Sequence, residues 1–306
     1  MKIGIVDLDT SHPQNWIPIE RAMGHSVVGI WDGGAVHPPE YVAKFAAEHE
    51  VPRVYRSLEA MVEDVDGAIL HGCDWDTHVE KARPFVKAGK FVLIDKPLAG
   101  NVRDLKQIAA WSDAGMHIAG GSSLRYCIEA RDWLARPVEE RGAPHTAFCG
   151  CGTDEFNYGI HAYSLLSTLM GPGIRSVRHL QAGPQRRIQV NWSDDRVAFV
   201  TVGDASYIPF YATLVTPKGV THLLPDSKHL YRAQLEATLP YLAGETATAP
   251  FSGWTLIEPE LCALAARKSW LNADAEILLS ELTEAEGGYD GTTFAAGYRK
   301  MRYPQG

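Results

Sequence analysis

Short apolar runs alternate with helix-length amphipathic stretches through the first third of the chain, and this alternation restricts the fold more than any other feature. β-rich runs at residues 3–6, 27–31, 68–70 and 91–94 are separated by helical patterns at 14–23, 39–49, 57–62 and 77–88. Each connection is too long for a hairpin and carries its own helix, so successive strands pair in parallel through right-handed crossovers. A further helical pattern at 102–114 and a run at 116–120 continue the series. The expectation is an α/β domain over residues 1–122, a Rossmann-like doubly wound parallel sheet whose ligands sit at the carboxyl ends of its strands.

The pattern changes after Arg125. A helix at 128–135, a strand near 146–149 and a helix from about 156–170, ended by Gly171-Pro172-Gly173, precede five alternating runs at 176–181, 187–192, 197–202, 210–215 and 220–223. Strands that follow one another without helices form an open, mainly antiparallel sheet with one face covered. Helical patterns at 230–243 and 258–271 close this α+β domain, residues 123–306. With 306 residues, 45% of them hydrophobic, the chain can supply two cores.

Charge and composition narrow the partners. A net charge of −8 with no run of five like charges leaves no nucleic-acid footprint, and no apolar run approaches the length of a membrane span. A small-molecule ligand is expected. The chain opens directly on a strand, without the basic-apolar pattern of a signal peptide, so a cytoplasmic location is expected. Five cysteines, an odd number without framework spacing, read as reduced thiols.

The strand Phe91-Val92-Leu93-Ile94 ends in Asp95-Lys96-Pro97, which delivers an ammonium to the ligand-binding edge. Lys96 is placed there for proton transfer or substrate binding; a lysine that merely ends a strand and reaches into water is the alternative. After the first strand, the Gly-x-Gly-x-x-Gly of a dinucleotide-binding turn is replaced by Asp7-Leu8-Asp9-Thr10-Ser11-His12. Two carboxylates in the first two glycine positions put charge and bulk where a diphosphate lies, which disfavours ordinary pyrophosphate binding. Thr10, Ser11 and His12 keep an altered anion site open; otherwise Asp9, Thr10 or Ser11 simply caps the next helix. Asp32, at the end of the second strand, suits the hydroxyls of an adenosine ribose, and Asp32-Gly33-Gly34 is equally a turn.

Polar groups gather at the end of the third strand as well, in His71-Gly72-Cys73-Asp74-Trp75-Asp76-Thr77-His78, where Asp74 or Asp76 can cap a helix. His71 and Cys73, with Cys149, Cys151 and His161, would make soft metal ligands if they converged, but the Cys-x-Cys spacing matches no common structural zinc pattern. No metal is predicted. His161, at the start of an apolar helix with Gly159 two residues before it, is placed to act as general acid or base. Tyr158 and Asn157 bring a hydroxyl and an amide to the same mouth.

These residues resemble the Gfo/Idh/MocA family of two-domain NAD(P)-dependent oxidoreductases of sugars, cyclitols and related polyols. The likeness covers most of the chain. Lys44-Phe45-Ala46-Ala47-Glu48, Leu58-Glu59, Asp66-Gly67-Ala68-Ile69, His78 and Ala88-Gly89-Lys90 follow its cofactor-domain pattern, and Asp95-Lys96-Pro97 resembles its Glu-Lys-Pro signature. Tyr158-Gly159-Ile160-His161 with Leu169-Met170-Gly171 is similar to the helix that carries its catalytic histidine, and Arg125 to its arginine at the domain junction. The resemblance implies Lys96, His161 and Tyr158 as catalytic residues and Arg125, Asn157, Lys96 and His161 as substrate-binding residues. It also implies NAD or NADP as cofactor, contacted by Asp9, Thr10, Ser11, His12, Asp32, Cys73, Asp95 and Lys96, and a homo-oligomer that buries one face of the second sheet. Asn157 and Ser164 depart from the family, standing where aspartates are usual, as Asp7 and Asp9 do at the glycines. Two other functions therefore stay open: non-redox proton abstraction beside a carbonyl (lyase, hydratase or epimerase), and ligand binding without catalysis.

Overall fold

The structure is a computed structural model that describes residues 1–203 and 206–304. Strands β1 (Lys2–Val6), β2 (Ser26–Trp31), β3 (Gly67–Leu70), β4 (Phe91–Ile94) and β5 (Ile118–Gly120) pair in parallel in the order β2-β1-β3-β4-β5. Every residue of β3 and β4 is buried, which is why both read as unbroken apolar runs rather than as alternating ones. The crossovers are α1 (His12–Ala22), α2 (Pro39–Glu48), α3 (Leu58–Val62), α4 (His78–Lys87) and α5 (Val102–Asp113). From β1 the chain goes out to β2 on one side and returns to β3 on the other. That reversal opens a crevice beyond the carboxyl ends of β1 and β3, where ligands of such sheets bind.

A 3-10 turn at Ser123–Tyr126 leads into α6 (Ile128–Ala135) and the short α7 (Val138–Arg141). Then come β6 (Thr146–Gly150), α8 (Ile160–Met170) and the strands β7 (Ile174–Ala182), β8 (Arg186–Trp192), β9 (Val197–Val202), β10 (Tyr211–Thr216) and β11 (Gly219–Leu223). With β12 (Ile277–Leu278) they form a seven-stranded sheet in the order β11-β10-β6-β9-β8-β7-β12, antiparallel except for the parallel pair β6–β9. Burial alternates along β9 and β10, and the covered face packs under α8 and α10 (Gly253–Leu271). On the other face Phe148 and Phe199 stack with centroids 5.4 Å apart, and Phe148 is exposed.

Several boundaries differ from the sequence expectation. α8 starts at Ile160 rather than near 156, because residues 156–159 form a turn whose Phe156 and Tyr158 amides bond to Asp154 Oδ1. α10 begins at Gly253, ahead of Pro259, with Ser252 and Thr255 forming a capping box at its start. α9 (Leu230–Leu242) buries Leu235, Leu239 and Leu242 in one cluster with Ile3, Ile5 and Trp16, so it covers the first sheet instead of closing the second. α11 (Gly291–Arg302) is a helix the sequence reading lacked; Asp290 caps it by accepting from Thr293 N.

Candidate active site

A cavity of about 620 Å³ opens where the ends of β1, β3 and β4 meet the start of α8, and Lys96 and His161 both line it. Lys96 leaves β4 with its ammonium turned inward, donating to the carbonyl oxygen and to Oδ1 of Asn157 at 2.9 Å each. Burial holds its pKa below the ordinary lysine value, partly offset by Asp95 and Asp154. The alternative of a solvent-reaching lysine is thereby removed. His161 sits in the first turn of α8, its Nδ1 2.6 Å from Ser122 Oγ. Burial first, and the Lys96 charge second, hold it well below the usual histidine range, so the imidazole is neutral at physiological pH. The Tyr158 ring stands edge-on to His161 at 5.4 Å and stacks on Phe210. Burial raises its phenol, which stays protonated.

In the β1–α1 loop the two unusual carboxylates point away from the cavity. Asp7 takes the left-handed backbone suited to the glycine it replaces, with φ at 66°. Its Oδ1 accepts from Gly33 N at 2.9 Å, and its Oδ2 pairs with Lys81 Nζ at 2.5 Å. Asp9 accepts from Cys73 N at 2.8 Å; burial, then the Asp7 charge, push its carboxyl up to about 7. Both residues are fully buried. The expectation that Asp7 and Asp9 load the diphosphate position with charge and bulk is therefore corrected: one is neutralised by Lys81, the other tends to protonate, and both face the interior. Thr10, Ser11 and His12 line the cavity instead. Ser11 is the N-cap residue of α1 but makes no side-chain cap bond, whereas Thr10 Oγ1 accepts from His12 N at 3.2 Å. The residues present thus fit an anionic group at the start of α1.

Other expected residues fall elsewhere. Asp32, pushed up by burial and then by Asp7, spends one oxygen on Leu8 N at 2.9 Å and the other on Gly34 N at 2.7 Å, which makes it a turn residue as well as a ribose candidate. Cys73 borders the cavity, its thiol far above the ordinary range through burial. Arg125 is not brought to the cavity: its guanidinium donates to the Thr255 and Leu256 carbonyls at 2.7 and 2.9 Å and lies 3.5 Å over the Phe251 ring. Those carbonyls, at the start of α10, are what turn it away. Nor do Cys149, Cys151 and His161 meet His71 as a metal set; among the described residues, the group of donors that does converge is His12, His71 and Asp95. Asp95 lies beneath the cavity, its Oδ1 accepting from Lys96 N at 2.7 Å and its Oδ2 meeting Nδ1 of both His12 and His71. Sequence reasoning placed His71 and Asp95 at strand ends and His12 in the loop between the first strand and its helix, and the sheet edge they share was the signal for their meeting.

α11 spans the same edge. Gly291 N donates to Asp76 Oδ2 at 2.7 Å, Ala295 packs against Val36 and Cys73, and Arg299 donates to Gly34 O at 3.0 Å. Phe294, Tyr298 and Met301 line the cavity. The helix therefore runs from the end of β3 to the end of β2, over the side of the crevice where Asp32 stands.

Residues 1–114 match the model of the oxidoreductase family GFO_IDH_MocA, NAD-binding Rossmann fold. Among curated proteins, a trans-1,2-dihydrobenzene-1,2-diol dehydrogenase of Danio rerio is 33% identical over 30% of this chain and 26% of its own length. A 1,5-anhydro-D-fructose reductase of Ensifer adhaerens is 29% identical over 40% of this chain and 36% of its own. The chain thus aligns with only about a quarter to a third of these relatives' length. Solved structures share the fold over nearly the whole chain. A probable dehydrogenase from Thermotoga maritima superposes with a TM-score of 0.78 at 15% identity, covering 92% of this chain and 100% of its own. Scyllo-inositol dehydrogenase from Lactobacillus casei, solved with NAD(H) and scyllo-inositol, gives 0.77 at 13% identity, covering 92% and 99%. Through residues 1–114 the chain matches the NAD-binding model of the Gfo/Idh/MocA oxidoreductase family, and over nearly its whole length it carries the two-sheet architecture of these dehydrogenases.

Proposed function

We propose that the protein is an NAD(H)-dependent oxidoreductase of a carbohydrate-like alcohol, a sugar, cyclitol or related polyol. The observation that carries this reading is the placement of Lys96 and His161 on one cavity, with the Lys96 charge helping to keep His161 neutral. A neutral imidazole takes the hydroxyl proton of the substrate, the Lys96 ammonium stabilises the oxygen, and Tyr158 and Asn157 orient neighbouring hydroxyls. Bound NAD(H) would supply the hydride exchange, held by Thr10 and Ser11 at the start of α1 and by Asp32 at the ribose. The family match and the inward-turned Asp7 and Asp9 support the cofactor; the sugar and polyol dehydrogenases among the relatives support the substrate class. The exposed Phe148–Phe199 face supports a homo-oligomer.

Titration of NADH and NADPH by nicotinamide fluorescence, followed by a panel of cyclitols and sugars with NAD, tests the reading. Saturable NADH binding and turnover of at least one cyclic polyol are expected; absence of nucleotide binding overturns it. A second reading keeps His161 and Lys96 and drops the hydride, abstracting a proton beside a carbonyl. It is favoured by α11, which covers the Asp32 side of the crevice. Turnover of a keto-sugar without added nucleotide, lost in His161→Ala, would select it.

A further inference from the structure

We propose that His12, His71 and Asp95 form a binding site for a divalent first-row transition metal at the base of the cavity. His71 and Asp95 directly follow the neighbouring strands β3 and β4, whose pairing sets their spacing, and His12 is brought to them as the first residue of α1, after the loop that leaves β1. Nδ1 of His12 and Nδ1 of His71 both meet the same oxygen, Asp95 Oδ2, the latter at 3.1 Å, and the three donor atoms lie within 4.8 Å of one another. A tetrahedral ion with bonds of about 2.0–2.1 Å holds its ligands roughly 3.3 Å apart.

The surroundings fix each donor. Asp95 Oδ1 is committed to Lys96 N, which leaves Oδ2 for the cluster. The His12 ring is stacked 5.9 Å from Trp16 and lies 4.9 Å from Tyr231, and the His71 ring stands edge-on to Trp16 at 4.9 Å. His71 is fully buried and its Nε2 has no partner among the described residues, so what its Nδ1 meets dictates how the ring is used. Two imidazoles and one carboxylate suit zinc, iron or cobalt rather than magnesium or calcium, which prefer all-oxygen shells. Three protein ligands leave a coordination position open, and His12 borders the cavity that Lys96 and His161 line.

The alternative is a His-Asp-His hydrogen-bonded network that never takes an ion. The full chain, stripped with a chelator, is titrated with Co(II) under visible spectroscopy and with Zn(II) by calorimetry. One ion per chain with the intense ligand-field bands of low-coordinate Co(II) is expected, weakened at least about tenfold in His12→Gln and in His71→Gln. Absence of saturable binding, or binding unchanged in both variants, overturns the proposal. Circular dichroism establishes whether the buried His71→Gln variant folds; if it does not, His12→Gln, at the cavity edge, decides alone.

Discussion

Ser122 Oγ stands 2.6 Å from His161 Nδ1, tying the residue two places beyond β5 to the first turn of α8. Ser122 Oγ also accepts from Leu124 N at 3.1 Å, so the hydroxyl is held in place independently of the histidine. In the tautomer that the proposed reaction uses, Nδ1–H donates to this oxygen and the Nε2 lone pair is left for the substrate proton. Ser122 is thus a positioning residue for His161.

Removing the proton acceptor should cost more than removing its support. His161→Gln is expected to lower kcat by about 10²- to 10⁴-fold, the usual worth of a positioned acid or base. Ser122→Ala should lower kcat by roughly tenfold with little change in KM, because the ring loses orientation and not its chemistry. Steady-state kinetics on the two variants check this, and a Ser122→Ala enzyme altered in KM alone would show that the serine acts on substrate and not on the histidine. Ser122→Thr, which keeps a hydroxyl, should recover most of the loss.

The pH dependence follows from the directions of the two shifts. His161 must be neutral to accept a proton, and burial with the Lys96 charge holds it well below 6.5, so the acid limb of kcat/KM should lie below the ordinary histidine value. Lys96 must be charged to stabilise oxygen, and burial lowers it from 10.5, so the alkaline limb should fall below the ordinary lysine value. The profile is expected to be a bell with a plateau around neutrality. An acid limb above 6.5 would mean that another group, not His161, is the base.

Periodicity and strand-end chemistry made much of this legible. Strand β4 reads as Phe91-Val92-Leu93-Ile94 because it is buried on both faces, and Lys96 follows at the edge where a ligand binds. His161 was legible from its place at the start of an apolar helix. Side-chain direction was not. Asp7 and Asp9 occupy glycine positions in the sequence, but only tertiary contacts with Lys81, Gly33 and Cys73 turn them inward. Arg125 was misplaced for the same reason, since the carbonyls that capture it lie 130 and 131 residues away in sequence. α11 carried its signal in Asp290 and in the spacing of Phe294, Tyr298 and Met301, weakened by Gly297 in mid-helix.

The Asp7–Lys81 pair makes the rewritten loop testable by stability. Lys81 is 11% exposed and Asp7 wholly buried, so Asp7→Gly should leave an unpaired ammonium at a cost of about 3–5 kcal/mol. Glycine is at ease at a φ of 66°, which returns about 1 kcal/mol. The single variant is expected to be less stable in urea unfolding, and Asp7→Gly with Lys81→Met to recover most of the loss. If Asp7→Gly alone were the more stable protein, backbone strain and not the ion pair would govern this position.

The docking of α11 sets what a nucleotide must displace. Ala295 is buried against Val36 and Cys73, and Arg299 holds Gly34 O, both on the side of the crevice where Asp32 stands. If a dinucleotide binds only when the helix is lifted, its apparent Kd is weakened by the fraction of molecules in the open state. Ala295→Glu places a charge in that contact and favours the lifted helix, whereas Lys300→Glu, at an exposed position on the same helix, changes charge without touching the contact. NADH titration should give a Kd lowered by roughly tenfold in Ala295→Glu, equivalent to about 1.4 kcal/mol, and near the unaltered value in Lys300→Glu. Weaker binding in Ala295→Glu, with the fold intact by circular dichroism, would mean that α11 forms part of the nucleotide site and does not block it.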